Sequence, residues 1–217
     1  MSALRFAPYL EQRATWPGAG RHILAQFDAE AVVVYQAYRP EIGRHAAEHG
    51  RFGAGWSRDR MSWIKPNFLW MMYRCGWAEK PGQEVVLALW LRRSGFDEIL
   101  AAAVPSAYRD GEYADRRQWQ AAVAGSDVRS QWDPDHGPSG APEPRRAIQL
   151  GLRGAALARF ADEWLLAVED VTPQVRAQRA HARSPFDRLY VPAEQVYPVA
   201  DAEVAARLGV ATRGAPR

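Results

Sequence analysis

The order of the apolar segments constrains the fold most, because strand and helix signals are mixed without a regular strand–helix–strand alternation. Two segments predict strong strands: 31–38, with its run of valines and tyrosines, and 83–91. Pro40 predicts the start of a helix after the first strand, and Gly50 predicts its end. A doubly wound parallel sheet needs a repeated alternation of strands and helices, so we predict the α+β class.

The remaining elements lie between these two strands or follow the second one. We predict an extended piece at 61–65, helices at 66–75, 96–104, 115–124 and 155–161, strands at 128–132 and 147–152, and a Pro/Gly-rich loop at 133–144. Segment 164–169 fits either a strand or a helix, a helix begins at 172, and edge strands follow at 190–192 and 196–198. We expect an irregular segment at 1–20, a single domain at 21–200 and a frayed tail at 201–217.

Composition narrows the compartment and the partners. The chain has 217 residues and one cysteine, Cys75, so an internal disulfide or a thiolate zinc cage is excluded. No apolar run approaches the ~20 residues that span a bilayer and the start does not resemble a secretory signal, so we expect a cytoplasmic protein without a membrane partner. Arginine supplies nearly all the positive charge, and a pI near 9.2 favours anionic partners such as nucleotides or nucleic acid.

The segment 58–66 has the chemistry of a phosphate-and-ring site. Arg58, Arg60 and Lys65 surround Trp63 just before a predicted helix start. Guanidinium groups bind phosphate through a fork of donors, helix amino termini favour anions, and aromatic faces stack on bases. The alternative is a core Trp63 with arginines as a solvated rim.

Two neighbouring segments carry further candidates. The helix after Pro66 is rich in aromatic and methionine residues typical of a core. Tyr73 and Arg74 are its polar residues that can contact a ligand. The first strand ends at Tyr35, Gln36 and Tyr38, where side chains on a rigid scaffold face a loop cavity, although Gln36 also fits the wet face of an alternating strand.

His45 and His49 match the H-x-x-E-H pattern of inverted zinc proteases, with Glu48 as the candidate base. No third ligand stands out in the sequence. A solvated pairing of Glu41 with His45 is the alternative to a metal site.

The chain resembles the bacterial and fungal domain-of-unknown-function family numbered 4291 over about residues 20–198. The resemblance is carried by the segments 35–38, 60–74, 76–77, 147–152 and 169–173. This family implies no established activity.

The order of elements is also similar to that of the small NAD-dependent ADP-ribosyltransferases, chiefly the tRNA 2′-phosphotransferases, with Gln36 at the position of their first-motif histidine. This resemblance implies a split β-sheet core with flanking helices, NAD as cofactor, and transfer of ADP-ribose to a nucleic acid or nucleotide. In such a site Gln36 and Tyr38 orient the nicotinamide ribose, and Glu169, or else Gln149 or Glu84, polarises it. The remaining candidates contact the pyrophosphate or stack on a ring: Tyr35, Arg60, Trp63, Lys65, Tyr73 and Arg74.

Two other functions fit the sequence. A non-catalytic module could bind RNA or another single strand through the basic and aromatic residues. A metal hydrolase could use His45 and His49.

Overall fold

The computed structural model describes residues 4–210. The strands are β1 (Phe6–Pro8), β2 (Gly20–Arg21), β3 (Leu24–Ala25), β4 (Ala31–Tyr38), β5 (Ser62–Ile64), β6 (Val85–Arg92), β7 (Ala103–Pro105), β8 (Val128–His136), β9 (Pro142–Leu152), β10 (Leu165–Asp170), β11 (Tyr190–Pro192) and β12 (Gln195–Val196). The helices are α1 (Tyr9–Thr15), α2 (Pro40–His49), α3 (Phe68–Cys75), α4 (Arg93–Ala102), α5 (Arg116–Gly125), α6 (Gly154–Arg159), α7 (Thr172–Arg179) and α8 (Ala202–Leu208). A π-helical turn, Phe160–Trp164, follows α6.

The strands form two main sheets. One has three antiparallel strands in the order β10-β6-β4, and the other has the order β2-β9-β8-β7, with β5 also paired to β9. The two sheets meet where β4 and the residue after β5 form a bridge, Tyr35 to Lys65. Strands and helices mix in one compact domain, so the predicted α+β class is confirmed.

Each face of the three-stranded sheet is covered. Even-numbered residues of β4, such as Val32 and Val34, pack between the two sheets with Leu150. Odd-numbered residues, such as Val33 and Tyr35, pack under α1, α3 and α7. A strand buried on both faces is apolar throughout, and this explains the continuous run that marked β4 in the sequence.

The helix boundaries near the site follow from local sequence. Pro40 occupies the first turn of α2, and Gly50 ends it in a left-handed conformation with φ 66°. The helix α3 begins at Phe68 rather than at Pro66, because the Asn67 side chain accepts a hydrogen bond from the Trp70 N–H at 2.6 Å.

The structure differs from the sequence prediction at three places. Of the predicted irregular segment 1–20, residues 6–15 form β1 and α1, since β1 pairs with β11 from the far end of the chain, and residues 1–3 lie outside the described residues. The predicted loop 133–144 is mostly strand. The pairing of β8 with β9 continues beyond Pro134 after a shift in register. Of the predicted tail, 202–208 is the helix α8, whose Val204 and Leu208 are buried, and 211–217 lies outside the described residues.

The structure also decides the segment for which the sequence left strand and helix open. Segment 165–170 is a strand, β10, paired antiparallel with β6. Within the described residues, no helix has both the length and the apolar composition needed to cross a bilayer.

Candidate functional site

A cavity of about 630 Å³ lies where β4 ends, and we call it the β4 cavity. Its walls come from β4, β5, the 55–61 loop, α3 and the turn before β6. Among the described residues that line it, the cations are Arg39, Arg60, Lys65 and Arg74, and none is Asp or Glu. The cavity is therefore lined by positive charge.

The β4 cavity brings together most of the predicted site residues. These are Gln36, Tyr38, Arg60, Trp63, Lys65 and Arg74. The convergence has a simple cause: β5 crosses beside β4, so the segment after the 51–60 loop lies next to the end of the first strand.

Gln36 and Tyr38 form a closed hydrogen-bond network in the cavity wall. The Gln36 amide donates to Ser62 Oγ at 2.7 Å and to the Trp63 carbonyl at 3.1 Å. The Tyr38 hydroxyl donates to Gln36 Oε1 at 2.9 Å and accepts from Trp56 Nε1 at 2.9 Å. Gln36 has both amide hydrogens engaged, so this network fixes the wall, and Ser62 Oγ is the hydroxyl that it orients.

Lys65 is a buried cation in the same cavity. Only 7% of the residue is exposed, and its ammonium donates to the Trp63 carbonyl at 3.3 Å. Within residues 4–210 no carboxylate forms an ion pair with it. Burial, and then the neighbouring Arg74 charge, lower the pKa of Lys65 to about 8. A lysine ammonium has three donor hydrogens, so two remain for a ligand.

Arg60 and Arg74 are exposed at the rim of the β4 cavity. Neither forms a salt bridge with another described residue. Arg58, two positions before Arg60, instead makes a paired contact with Asp162, with nitrogen–oxygen distances of 2.6 and 2.7 Å. The guanidinium groups of Arg60 and Arg74 are thus available to an anion, and that of Arg58 is not.

Trp63 lies against the sheet because of a glycine. It pairs in register with Gly151 of β9, where a Cβ atom would stand 3.0 Å from the indole and 2.6 Å from Met61 Sδ. A side chain at Gly151 would push the indole away from the sheet. The aromatic face in the cavity wall therefore depends on this glycine.

An acidic residue missed by the sequence prediction acts electrostatically on Lys65 from outside the cavity lining. The Asp133 carboxylate accepts from Gln131 Nε2 at 2.9 Å and from Gln149 Nε2 at 2.7 Å. Its charge acts on Lys65 and partly offsets the lowering of the lysine pKa. Asp133 was missed because it lies in the predicted loop 133–144. If the strand 128–132 had been extended, the alternation of side chains would have placed Asp133 on the same face of the sheet as Gln131.

Four predicted site residues lie outside the β4 cavity. Tyr35 is fully buried beneath α3, with its hydroxyl unpaired, because odd positions of β4 face that helix. Glu169 shares a register row with Ala88 and Tyr35, on the sheet face opposite to Gln36. Gln149 is bound to Asp133, and Tyr73 lines a different cavity.

The two remaining predicted groups are also placed. Glu84 accepts a hydrogen bond from the Gly82 N–H at 2.8 Å, beside the rim of the β4 cavity but outside its lining. His45 and His49 stack with ring centroids 4.1 Å apart. Across residues 4–210, no group of three or more His, Cys, Asp or Glu side chains could hold a metal ion, so the third ligand of a zinc site is missing from this part of the chain.

The fold and the cavity define an α+β protein with a positively charged cavity at the end of its central strand. The model of one family, the domain of unknown function DUF4291, matches residues 22–197. The chain belongs to this family, as its sequence predicts. No curated protein matches it.

Proposed function

We propose that the β4 cavity binds the phosphates of a nucleotide, and that the protein transfers ADP-ribose from NAD to a nucleic acid or nucleotide. One observation supports the binding of a nucleotide. Lys65 is buried and charged at neutral pH, yet it lines a cavity whose described lining has no carboxylate. A buried charge without an ion-pair contact is costly, so an anionic ligand would supply that contact.

The cations around Lys65 suit a pyrophosphate. Arg60 and Arg74 can each offer two parallel N–H donors to phosphate oxygens, and Lys65 acts as a point charge deeper in the cavity. A volume of about 630 Å³ lies in the range of nucleotide-sized ligands.

The ring of the ligand has a platform in the same cavity. The Trp63 indole lies against Gly151 and lines the cavity, where it can stack on a base or on nicotinamide. Ser62, oriented by the Gln36 amide, can donate its hydroxyl hydrogen to a ribose oxygen. Gln36 and Tyr38 would then position the nicotinamide ribose through Ser62.

The reaction follows from the resemblance of the element order to the ADP-ribosyltransferases. The bond between ribose C1′ and the nicotinamide nitrogen breaks, and nicotinamide leaves with the bonding electron pair. An acceptor oxygen bonds to C1′ and loses its proton to water. When bound, NAD supplies the ribosyl group, and the residues of this cavity would hold its pyrophosphate and orient the ribose.

A second function is favoured by the absence of Asp and Glu from the described lining of the β4 cavity. Transfer through a ribose cation benefits from a nearby negative charge, and Glu169, the residue first expected to supply it, lies across the sheet. A binding module for single-stranded RNA would need only the cations and the indole.

Two measurements test the proposal. Calorimetric titration with ADP-ribose should detect binding that Lys65→Met weakens at least tenfold, since a charge-assisted contact contributes about 1.5–3 kcal/mol. Nicotinamide release from NAD, followed by chromatography with and without RNA, tests the reaction. If ADP-ribose binds but no nicotinamide is released, the proposed nucleotide site stands and the proposed transferase activity is overturned. If ADP-ribose does not bind at millimolar concentration, both proposals are overturned.

A further inference from the structure

We infer that a second cavity, on the other side of α3, holds a single-stranded nucleic acid. This inference rests on the proposed function, because it assigns the acceptor of the transfer to one chemical class. The cavity has a volume of about 920 Å³ and lies between α3, the 138–140 turn and α7. We call it the α7 cavity.

The charge of the α7 cavity is strongly positive. Lys80, Arg176, Arg179 and Arg183 line it, and no Asp or Glu does so among the described residues. Arg179 pairs with Glu79 at 2.8 Å. Arg176 and Arg183 are exposed and form no salt bridge within residues 4–210, so their guanidinium groups can contact phosphates.

An aromatic ring stands in the wall of the same cavity. Tyr73 is 41% exposed, and its ring stacks on His136 with a centroid distance of 3.5 Å and an interplanar angle of 9°. Trp70 stacks against both rings at 5.3 Å. Because His136 and Trp70 already hold the Tyr73 ring, little conformational entropy is lost when a base stacks on it. An exposed and rigid aromatic ring of this kind suits an unpaired base.

Two elements, α3 and the turn before β6, contribute residues to both cavities. Met71 and Arg74 of α3 line the β4 cavity, while Met72 and Tyr73 line the α7 cavity. The turn before β6 is shared in the same way, since Lys80 lines the α7 cavity and Gln83 the β4 cavity. A strand bound in the α7 cavity therefore lies next to the proposed nucleotide site.

The combination of groups favours a single strand over other polyanions. Exposed bases can stack on Tyr73 while successive phosphates contact Arg176 and Arg183, whereas the bases of a duplex are already stacked on one another. A membrane surface is flat and offers no ring, so it would use the charges and leave Tyr73 without a role.

The test is the binding of fluorescein-labelled oligo(U) of about a dozen nucleotides, followed by anisotropy over a salt titration. Each phosphate contact contributes about 0.7 to the slope of log K against log salt for single strands, so Arg176→Ala/Arg183→Ala should lower the slope by about 1.4. Tyr73→Ala should weaken binding about tenfold at all salt concentrations, because it removes stacking rather than charge.

The matched control is Arg116→Ala/Arg117→Ala on α5, which changes the net charge equally beside the far edge of the five-stranded sheet. It should leave the slope unchanged. An equal loss of slope in both double variants would overturn the α7 cavity as the site, and so would binding of vesicles containing phosphatidylserine in preference to oligo(U).

ADP-ribose binding separates this inference from the proposed function. Arg176→Ala/Arg183→Ala should bind ADP-ribose as the wild type does, because neither residue lines the β4 cavity. Loss of oligo(U) binding with intact ADP-ribose binding supports the two-site arrangement. If oligo(U) does not bind the wild type while ADP-ribose does, the acceptor site is overturned and the nucleotide site stands.

Discussion

Tyr35 and Lys65 exchange two main-chain hydrogen bonds: the Tyr35 N–H donates to the Lys65 carbonyl at 2.7 Å, and the Lys65 N–H donates back at 3.2 Å. Their side chains diverge, with Tyr35 buried in the core beneath α3 and Lys65 lining the β4 cavity. The contact that joins the two sheets thus also fixes the cation on which the proposed site depends.

The first prediction concerns pH and stability. The pKa of Lys65 in the folded chain is about 8, below its ordinary value of 10.5. Between these values the unfolded chain binds more protons, so the free energy of unfolding should rise with pH. Lys65→Met should remove this rise and stabilise the free protein by about 3 kcal/mol at pH 7. Urea unfolding of both proteins from pH 7 to 10 measures it, and a constant difference between them would contradict it.

Ligand binding should show the opposite dependence on pH. The ammonium of Lys65 loses its proton above a pH of about 8, so the affinity for ADP-ribose should fall there. Lys65→Arg keeps its charge in this range and should abolish the fall, whatever its affinity at neutral pH. Calorimetry at pH 7, 8 and 9 with both proteins is the measurement. A parallel decline in the two would show that another group titrates.

The sequence predicted the site largely through segments that are continuous along the chain. Arg60, Trp63 and Lys65 lie within six residues, and Gln36 and Tyr38 end the strongest strand, so their meeting required only that β5 lie beside β4. The distant members could not be assigned in this way. Glu169 depends on the register of β10 with β6, because a change of one residue moves a side chain to the other face of a sheet.

The errors in the fold have related causes. The helix α1 was unrecognised because its burial comes from contacts with β11 and its neighbours, over 170 residues away, as shown by Gln12 Nε2 donating to the Val191 carbonyl at 3.1 Å across 179 positions. Pro134 and Pro142 suppressed the prediction of strand in β8 and β9. A proline lacks an N–H donor, and here the strands tolerate it through a register shift beside Pro134.

Arg60 and Arg58 form a natural pair for testing the anion site. Arg60→Ala should raise the dissociation constant of ADP-ribose tenfold or more, since it removes a contact contributing about 1.5–3 kcal/mol. Arg58→Ala removes the same charge two residues away, but its guanidinium faces Asp162. It should leave the affinity within about twofold, because an exposed ion pair contributes little. Equal effects of the two substitutions would remove Arg60 from the site.

Gly151 should be intolerant of a side chain. In Gly151→Ala the new methyl group meets Met61 and the Trp63 indole, and overpacking of this kind costs about 1–3 kcal/mol. Binding of ADP-ribose should weaken more than binding of inorganic pyrophosphate, which needs no ring platform. Gly125→Ala is the control, because a Cβ there meets nothing within 4 Å. If the two ligands lose affinity equally, the indole is not the platform.

Tyr38→Phe tests whether the cavity wall is a rigid network. The substitution removes the hydrogen bond to Gln36 Oε1 and leaves the Trp56 indole N–H without its partner in a largely buried position. The loss should destabilise the fold by about 1–3 kcal/mol, the cost of an unsatisfied buried donor. Tyr190→Phe is the matched control, because its side chain is exposed and its loss of a hydroxyl should change stability by less than about 0.5 kcal/mol.

Because the Gln36 amide holds Ser62 and the Trp63 carbonyl, Tyr38→Phe should also lower the turnover of NAD more than the affinity for ADP-ribose. A stable Tyr38→Phe protein with unchanged turnover would mean that Gln36 keeps its orientation without Tyr38, and that the network does not position the ribose.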